Sequence, residues 1–429
     1  MQFKLALAAA ALVGTASVAS AADLGRPAPA AVDYVKVCDA YGAGFFYIPG
    51  SDTCLKIGGR VYFDMRTGSG AFSRLDHQLS NYSDRRRSGN NIFTRTAAYE
   101  TFDARTNTEY GLLRSFINLR QRFSTGSAAA EIVLQDGFIQ FGGLTAGMTR
   151  SAFDFTPLGY TFGVDYNAFQ SNVILNQIGY TFAFGNGITA TVSVEDPTSA
   201  DINYNNSRRV ASTGVFTALY AGQAAYGALK APDVVGKLNI KQAWGSAQIS
   251  AAYHDNYSLA NGDRAGWAVL GGFEILLPML APGDKIAFGG AYGEGAQGFI
   301  TAYSQYSTGN VRNVVVPGDY IGEDWAVDGF GRIQQTRSWG VMGSFHHEFN
   351  KKWEFNFDAS YENVDGFGAR DYATYGLQAD VRWKPVSNFY IGVGAEYGSM
   401  EFSTATRTAH PLLQNVDGWT GLVRVNRTF

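Results

Sequence analysis

The sequence predicts an all-β fold, a transmembrane antiparallel β-barrel of about sixteen strands. Three observations lead there. The chain opens on an export signal, it then alternates apolar and polar residues in segments of about ten, and the connections between those segments are short and long by turns.

The export signal occupies residues 1–21. One positive charge, Lys4, precedes the wholly apolar run 5–13 (LALAAAALV), and Ala19, Ser20 and Ala21 supply the small residues a signal peptidase reads, so cleavage is expected before Ala22. An apolar run of this length is too short for a spanning helix, which needs about 20 residues. The most apolar later stretch, 267–282, is interrupted by Glu274 and Pro278. A chain with no spanning helix can sit in lipid only as a closed barrel, because helices and barrels alone satisfy their backbone polar groups there. The expected location is the bacterial outer membrane.

Composition agrees with a barrel. Glycine reaches 51 of 429 residues and aromatics 14%, while charged residues are 17%, below the roughly 25% of a soluble domain. Mean hydropathy is −0.11, as expected when lumen-facing polar positions alternate with lipid-facing ones. Removing Lys4 with the signal leaves 33 basic against 37 acidic residues, a balance of −4 that excludes a nucleic-acid partner.

Residues 22–54 form a periplasmic N-terminal segment, in which a Pro/Ala stretch at 22–37 leads into the two cysteines; it is expected at the periplasmic mouth, with a position inside the lumen as the alternative. An even cysteine count in an exported chain predicts a Cys38–Cys54 disulfide. A metal reading fails for want of further ligands, since no histidine lies nearby.

The barrel is expected over 55–429. On 353–361, Trp353, Phe355, Phe357, Ala359 and Tyr361 share one face and Glu354, Asn356, Asp358 and Ser360 the other. Residues 373–384 repeat the pattern, with Ala373, Tyr375, Leu377, Ala379, Val381 and Trp383 opposed to Thr374, Gln378, Asp380, Arg382 and Lys384. Sixteen such segments centre near residues 60, 97, 116, 135, 146, 179, 192, 239, 252, 271, 289, 343, 357, 378, 395 and 423. Short connections fall near 142–143, 185–187, 244–246, 350–351 and 385–388, and long ones at 67–90, 151–172, 197–232 and 296–336. Short periplasmic turns and long external loops produce this inequality. The final strand, 419–429, ends on Phe429, a terminal aromatic read here as an assembly signal for the insertion machinery.

The residues 37–54 (VCDAYGAGFFYIPGSDTC), followed by LKIGGRVYFD, resemble the start of the alphaproteobacterial general porins. FGGLTAGM at 141–148, DWAV at 324–327 and the ending Arg427-x-Phe429 extend the resemblance along the chain. It implies a homotrimer of 16-stranded barrels, a passive route for small hydrophilic solutes and ions, and a third external loop folded into the lumen as a constriction. That loop maps onto 151–172, which holds six aromatics and two charges, Asp154 and Asp165. So long and apolar a connection is uncommon unless functional. An infolded loop packing its aromatics on the wall explains it, and an external loop at a subunit contact is the alternative.

A polar wall must face the loop. Residues 112–122 place Arg114, Phe116, Asn118, Arg120 and Arg122 on one face, and Lys56, Arg60 and Arg66 share a face of the first strand. The resemblance implies that such basic residues oppose acids on the loop, so Asp154 and Asp165 are expected to point at Arg114, Arg120 and Arg122. Ion pairing with lumen carboxylates is the competing role. Arg85, Arg86 and Arg87 read as a solvated loop face suited to anionic lipopolysaccharide. His346 and His347 alternate faces and cannot easily chelate one metal, and 290–295 (GAYGEG) lacks the following helix of a nucleotide loop. No cofactor or metal is expected. None of the five histidines sits in a Ser/His/Asp setting, so an enzyme is not expected. A solute-specific channel of the same fold remains the alternative function.

Overall fold

The computed structural model describes residues 36–70, 92–125, 129–163, 169, 172–198, 230–258, 262–300, 306–307, 320–321, 324–327, 330, 332–367, 371–409 and 415–429. The expected signal peptide, Arg85 to Arg87 and Asp165 lie outside the described residues.

Sixteen strands form the wall. They are β1 (Cys54–Gly70), β2 (Ile92–Thr108), β3 (Gly111–Ser124), β4 (Glu131–Phe141), β5 (Leu144–Arg150), β6 (Ile174–Gly185), β7 (Ile188–Glu195) and β8 (Asp233–Gln242), followed by β9 (Gly245–Ser258), β10 (Gly262–Leu276), β11 (Lys285–Glu294), β12 (Arg337–Asn350), β13 (Trp353–Asp365), β14 (Tyr372–Trp383), β15 (Phe389–Phe402) and β16 (Val416–Thr428). Each pairs antiparallel with its sequence neighbour, and β16 pairs with β1, so the sheet closes. Every centre expected from the alternation falls inside one of these strands. An even count leaves both ends of the sheet on the same rim.

That rim carries the tight turns. Between β6 and β7, Asn186 and Gly187 both take positive φ (49° and 74°), the backbone a two-residue hairpin needs to match strand twist. The long connections all leave from the other rim, as the sequence predicts.

The wall is inverted relative to a soluble protein. On β13, Glu354, Asn356, Asp358 and Ser360 are buried while Trp353 and Phe357 are exposed. On β14, Thr374, Gln378 and Asp380 point inward, and Leu377, Val381 and Trp383 outward. Aromatic rings mark both edges of the outer face. Trp353 and Trp383 stack at 6.3 Å near the tight turns. Near the other rim, contacts run Trp267–Tyr292, Trp339–Tyr361, Tyr375–Tyr397 and Tyr397–Trp419. These belts sit where amphipathic rings are favoured, at the membrane–water boundary.

Cys38 and Cys54 form the expected disulfide, with Cα atoms 6.0 Å apart. Both are buried with Phe45, and Tyr41 and Tyr47 pack against them. The pair Phe46–Tyr47 adds to the start of β1. Arg105 lies over the Phe45 ring at 4.9 Å, and Lys56 donates to the carbonyl of Ala43. The segment therefore docks over two lumen cations at the tight-turn rim.

The seam ends on the last residue. Gly59 and Phe429 exchange two backbone hydrogen bonds, each of 3.0 Å. A Cβ at position 59 would lie 2.2 Å from the Tyr99 carbonyl oxygen and 2.9 Å from Phe429 Cζ, so glycine is required for the closing strands to meet. Gly59→Ala should destabilise the barrel by roughly 1–3 kcal/mol through overpacking. Urea unfolding followed by heat-modifiable gel mobility should show an earlier midpoint. An unchanged midpoint would mean the seam can relax around the methyl group.

Candidate pore constriction

The chain leaves β5 at Arg150 and turns into the lumen. Ser151 and Ala152 are pinned at once by Glu195 on β7, which accepts from Ser151 Oγ at 2.8 Å and from Ala152 N at 2.9 Å. Gln248 and Ser250 on β9 donate to the Phe153 carbonyl. The segment then runs along the inner wall. Phe155 lies against Gly272 on β10, Leu158 over Gly289 on β11, Phe169 on Gly340 on β12, and Phe162 on Gly392 on β15. A Cβ at Gly392 would come within 2.3 Å of the Phe162 ring. Gly163 meets Leu422 of β16, an apolar residue on the lumen face. Phe153, Phe155, Phe162 and Phe169, four of the aromatics that made this loop look unlike an exposed one, are thus buried.

Wall carboxylates hold the loop backbone. Asp358 of β13, fully buried, accepts from Tyr160 N at 3.1 Å, Thr161 N at 2.9 Å and Thr161 Oγ1 at 2.5 Å. Asp380 of β14 accepts from Phe162 N at 2.8 Å. Tyr160 Oη donates to Glu274 of β10 at 2.7 Å, and Arg382 reaches the Tyr160 carbonyl at 2.5 Å. Burial, then the bond to Glu274, push the Tyr160 phenol well above its usual range, so it stays a donor at any physiological pH. The pattern of β13 and β14 put Asp358 and Asp380 on the lumen face, but nothing local to either strand shows that a loop some 200 residues earlier supplies their donors.

Asp154 does not play the expected part. It is buried at the root of the loop, where its carboxylate accepts from Val173 N at 2.9 Å. Lys237 of β8 is a charge neighbour. The aspartate staples the two ends of the loop together, because the chain must re-enter the wall at β6 within hydrogen-bonding distance of where it left β5. Asp165, its expected partner, lies outside the described residues.

The expected arginines do face the lumen, but neighbouring strands supply carboxylates to them. Arg114 is held bidentate by Asp103 of β2, at 2.8 and 3.0 Å, and also reaches Gln140 of β4. Arg122 binds Glu131 of β4 at 2.7 Å, and Arg120, buried, donates to Gln135 at 3.0 Å. Arg66 lies 3.5 Å from Asp64, which Arg424 of β16 grips at 2.6 and 2.7 Å. Lys56 and Arg60 front an open cavity of about 600 Å³ bounded also by Tyr99, Asn118, Asp136, Arg150 and Thr428. Arg60 lies over the Tyr99 ring at 4.3 Å. Arg95 and Arg105 of β2 and Arg424 belong to this basic wall but were not singled out from the sequence. The parity of β2, with Arg95, Asp103 and Arg105 in step, carries the signal.

A second segment folds inward after β11. Gln297, Phe299 and Ile300 are buried, and Phe299 meets Phe153 edge-on at 4.9 Å. Asp324 accepts from Gln297 N at 2.6 Å and lies 3.5 Å from His254 of β9, whose other ring nitrogen is 2.7 Å from Asp233. Nothing local to these residues marks the contact, which joins three distant segments.

The result is a lumen with two unlike sides. Strands β1–β3 carry a cluster of arginines, and Lys56 and Arg60 of β1 front the open cavity. On the other side, Glu274 of β10, Asp358 of β13 and Asp380 of β14 bond to the loop.

A model of the porin subfamily matches residues 26–421. Porin Omp2b of Brucella suis is 28% identical over 443 residues, covering 99% of each chain. Porin Omp2b of Brucella neotomae is 29% identical over 439 residues with the same coverage. Among solved structures, the outer membrane channel DcaP of Acinetobacter baumannii superposes with a TM-score of 0.68 at 15% identity, over 89% of this chain and 99% of that one.

Asp358→Ala removes the acceptor of three loop hydrogen bonds, and bonds to charged groups contribute about 1.5–3 kcal/mol each. The variant should keep the heat-resistant barrel yet show flickering closures in single-channel recordings. A steady trace like the parent's would mean that aromatic packing alone fixes the loop.

Proposed function

The chain belongs to the porin subfamily, as an outer-membrane porin of the alphaproteobacterial general type, and from that premise we propose that it is a general diffusion channel for small hydrophilic solutes and ions, constricted by the loop at 151–172. One observation carries this reading. The loop lies on the acidic side of the lumen and leaves the basic side facing the open passage. Opposed charges across a narrow aqueous gap make a transverse field, which orders water and sorts solutes by charge and dipole. The burial of Phe155, Phe162 and Phe169 in packing with the wall disfavours a solute-specific channel, which would need its aromatics along the passage.

A homotrimer fits the outer surface. The aromatic contacts near the long-loop rim run over β10–β16. On β2, by contrast, Glu100 stands on the outer face at mid-height, bonded to Gln121 of β3 at 3.3 Å. A charged residue there is costly against lipid and suits a subunit contact. The exposure of Phe429 at the rim supports its reading as an assembly signal for the insertion machinery, and loop arginines are suited to lipopolysaccharide.

Lys56 and Arg60 have no carboxylate partner among the described residues. Replacing both by Gln should shift the reversal potential towards cations in a KCl gradient, with a modest change in conductance. Deleting 155–162 should raise the size limit in liposome swelling. Unchanged selectivity and size limit would move the constriction elsewhere in the lumen.

A further inference from the structure

We propose that His346, Glu348 and Glu354 form a transition-metal site, suited to zinc, at the tight-turn mouth of the lumen, with the Lys384 ammonium as its competing internal occupant. The ligand atoms of the three side chains lie within 4.8 Å of one another. The β12–β13 hairpin brings them together, since His346 and Glu348 share the inward face of β12 and Glu354 is the first inward residue of β13. Lys384 follows β14 and reaches in from the next strand.

The hydrogen bonds around His346 fix its tautomer. Asn356 Nδ2 donates to Asp380 Oδ1 at 2.9 Å. An ionised carboxylate only accepts, so the amide nitrogen must face it and Asn356 Oδ1 must face the histidine. That oxygen is 2.7 Å from His346 Nδ1, so Nδ1 carries the proton. In this arrangement Nε2 faces Glu348 Oε1, 3.8 Å away. This is the outer-sphere arrangement that orients a metal-binding histidine. One imidazole nitrogen and two carboxylates converging on one point make a set of ligands suited to a cation.

Lys384 now supplies that cation. Its Nζ lies 2.6 Å from Glu354 Oε2 and 3.3 Å from Glu348 Oε1. The ammonium donates to the two carboxylates and leaves the imidazole nitrogen for a metal to bind. Zinc takes imidazole nitrogen and carboxylate oxygen in a four-coordinate site, with lumen water as the fourth ligand. Magnesium demands six oxygens in a near-ideal octahedron and is poorly served here. Displacing Lys384 brings the charge of the metal and the two glutamates to zero. Arg382 links the site to the loop, since it binds Glu354 at 3.1 Å and the Tyr160 carbonyl at 2.5 Å.

The test is competition between the full-length protein in detergent and a chromogenic chelator for zinc chloride, which does not depend on the channel reading. Wild type should bind one zinc per chain, and His346→Gln should lose it. Asn356→Leu should weaken binding by about 10–100-fold, as loss of an outer-sphere partner does. Lys384→Met should bind zinc more tightly, a gain that misfolding cannot produce. Failure of the wild type to compete, equal binding by His346→Gln, equal displacement by magnesium, or no gain in Lys384→Met would each overturn the proposal.

Discussion

Closure of the sheet is the constraint on which everything else rests. A peptide group facing hydrocarbon has no water to bond, so each must find a partner within the wall, and a single open edge would expose a row of them. The β1–β16 seam removes that edge, and the reciprocal bonds between Gly59 and Phe429 carry it to the last residue. Once the ring is closed, the two faces of each strand see different solvents. The alternation visible along β13 and β14 is that difference written residue by residue.

The closed wall also creates the electrostatic problem of the lumen. Charged groups that point inward are partly removed from bulk water, and an isolated one would be expensive. The structure answers with local pairs on one side: Arg114 with Asp103, Arg122 with Glu131 and Arg424 with Asp64. On the other side, the acids Asp358 and Asp380 are satisfied by the backbone N–H groups of the infolded loop. A loop with almost no charge of its own can therefore sit on an acidic surface, because its peptide groups are the donors. Its aromatics fill the space above wall glycines, which fixes its height in the barrel.

This division has a functional side. Carboxylates occupied with holding the loop are screened from the passage, while Lys56 and Arg60 front it directly. In the proposed channel, the field across the gap would depend on what the loop covers as much as on the count of charges, and that count is nearly balanced along the chain.

The strands, their number and their inward faces were legible in the sequence, because period-two alternation is imposed on each strand separately by lipid outside and water inside. The same local rule exposed the loop at 151–172 as one that avoids water, and placed Arg114, Arg120, Arg122, Lys56, Arg60 and Arg66 on the lumen side. Partnership was not legible. Asp154 looked like a constriction charge and is the staple of the loop's root. Asp358 and Asp380 looked like ordinary lumen residues and are the loop's anchors. The contact of His254 with Asp233 and Asp324 left no local trace. Alternation records only which solvent a side chain faces, whereas these pairings depend on where a distant segment lands after the barrel has closed, and only the tertiary structure decides that.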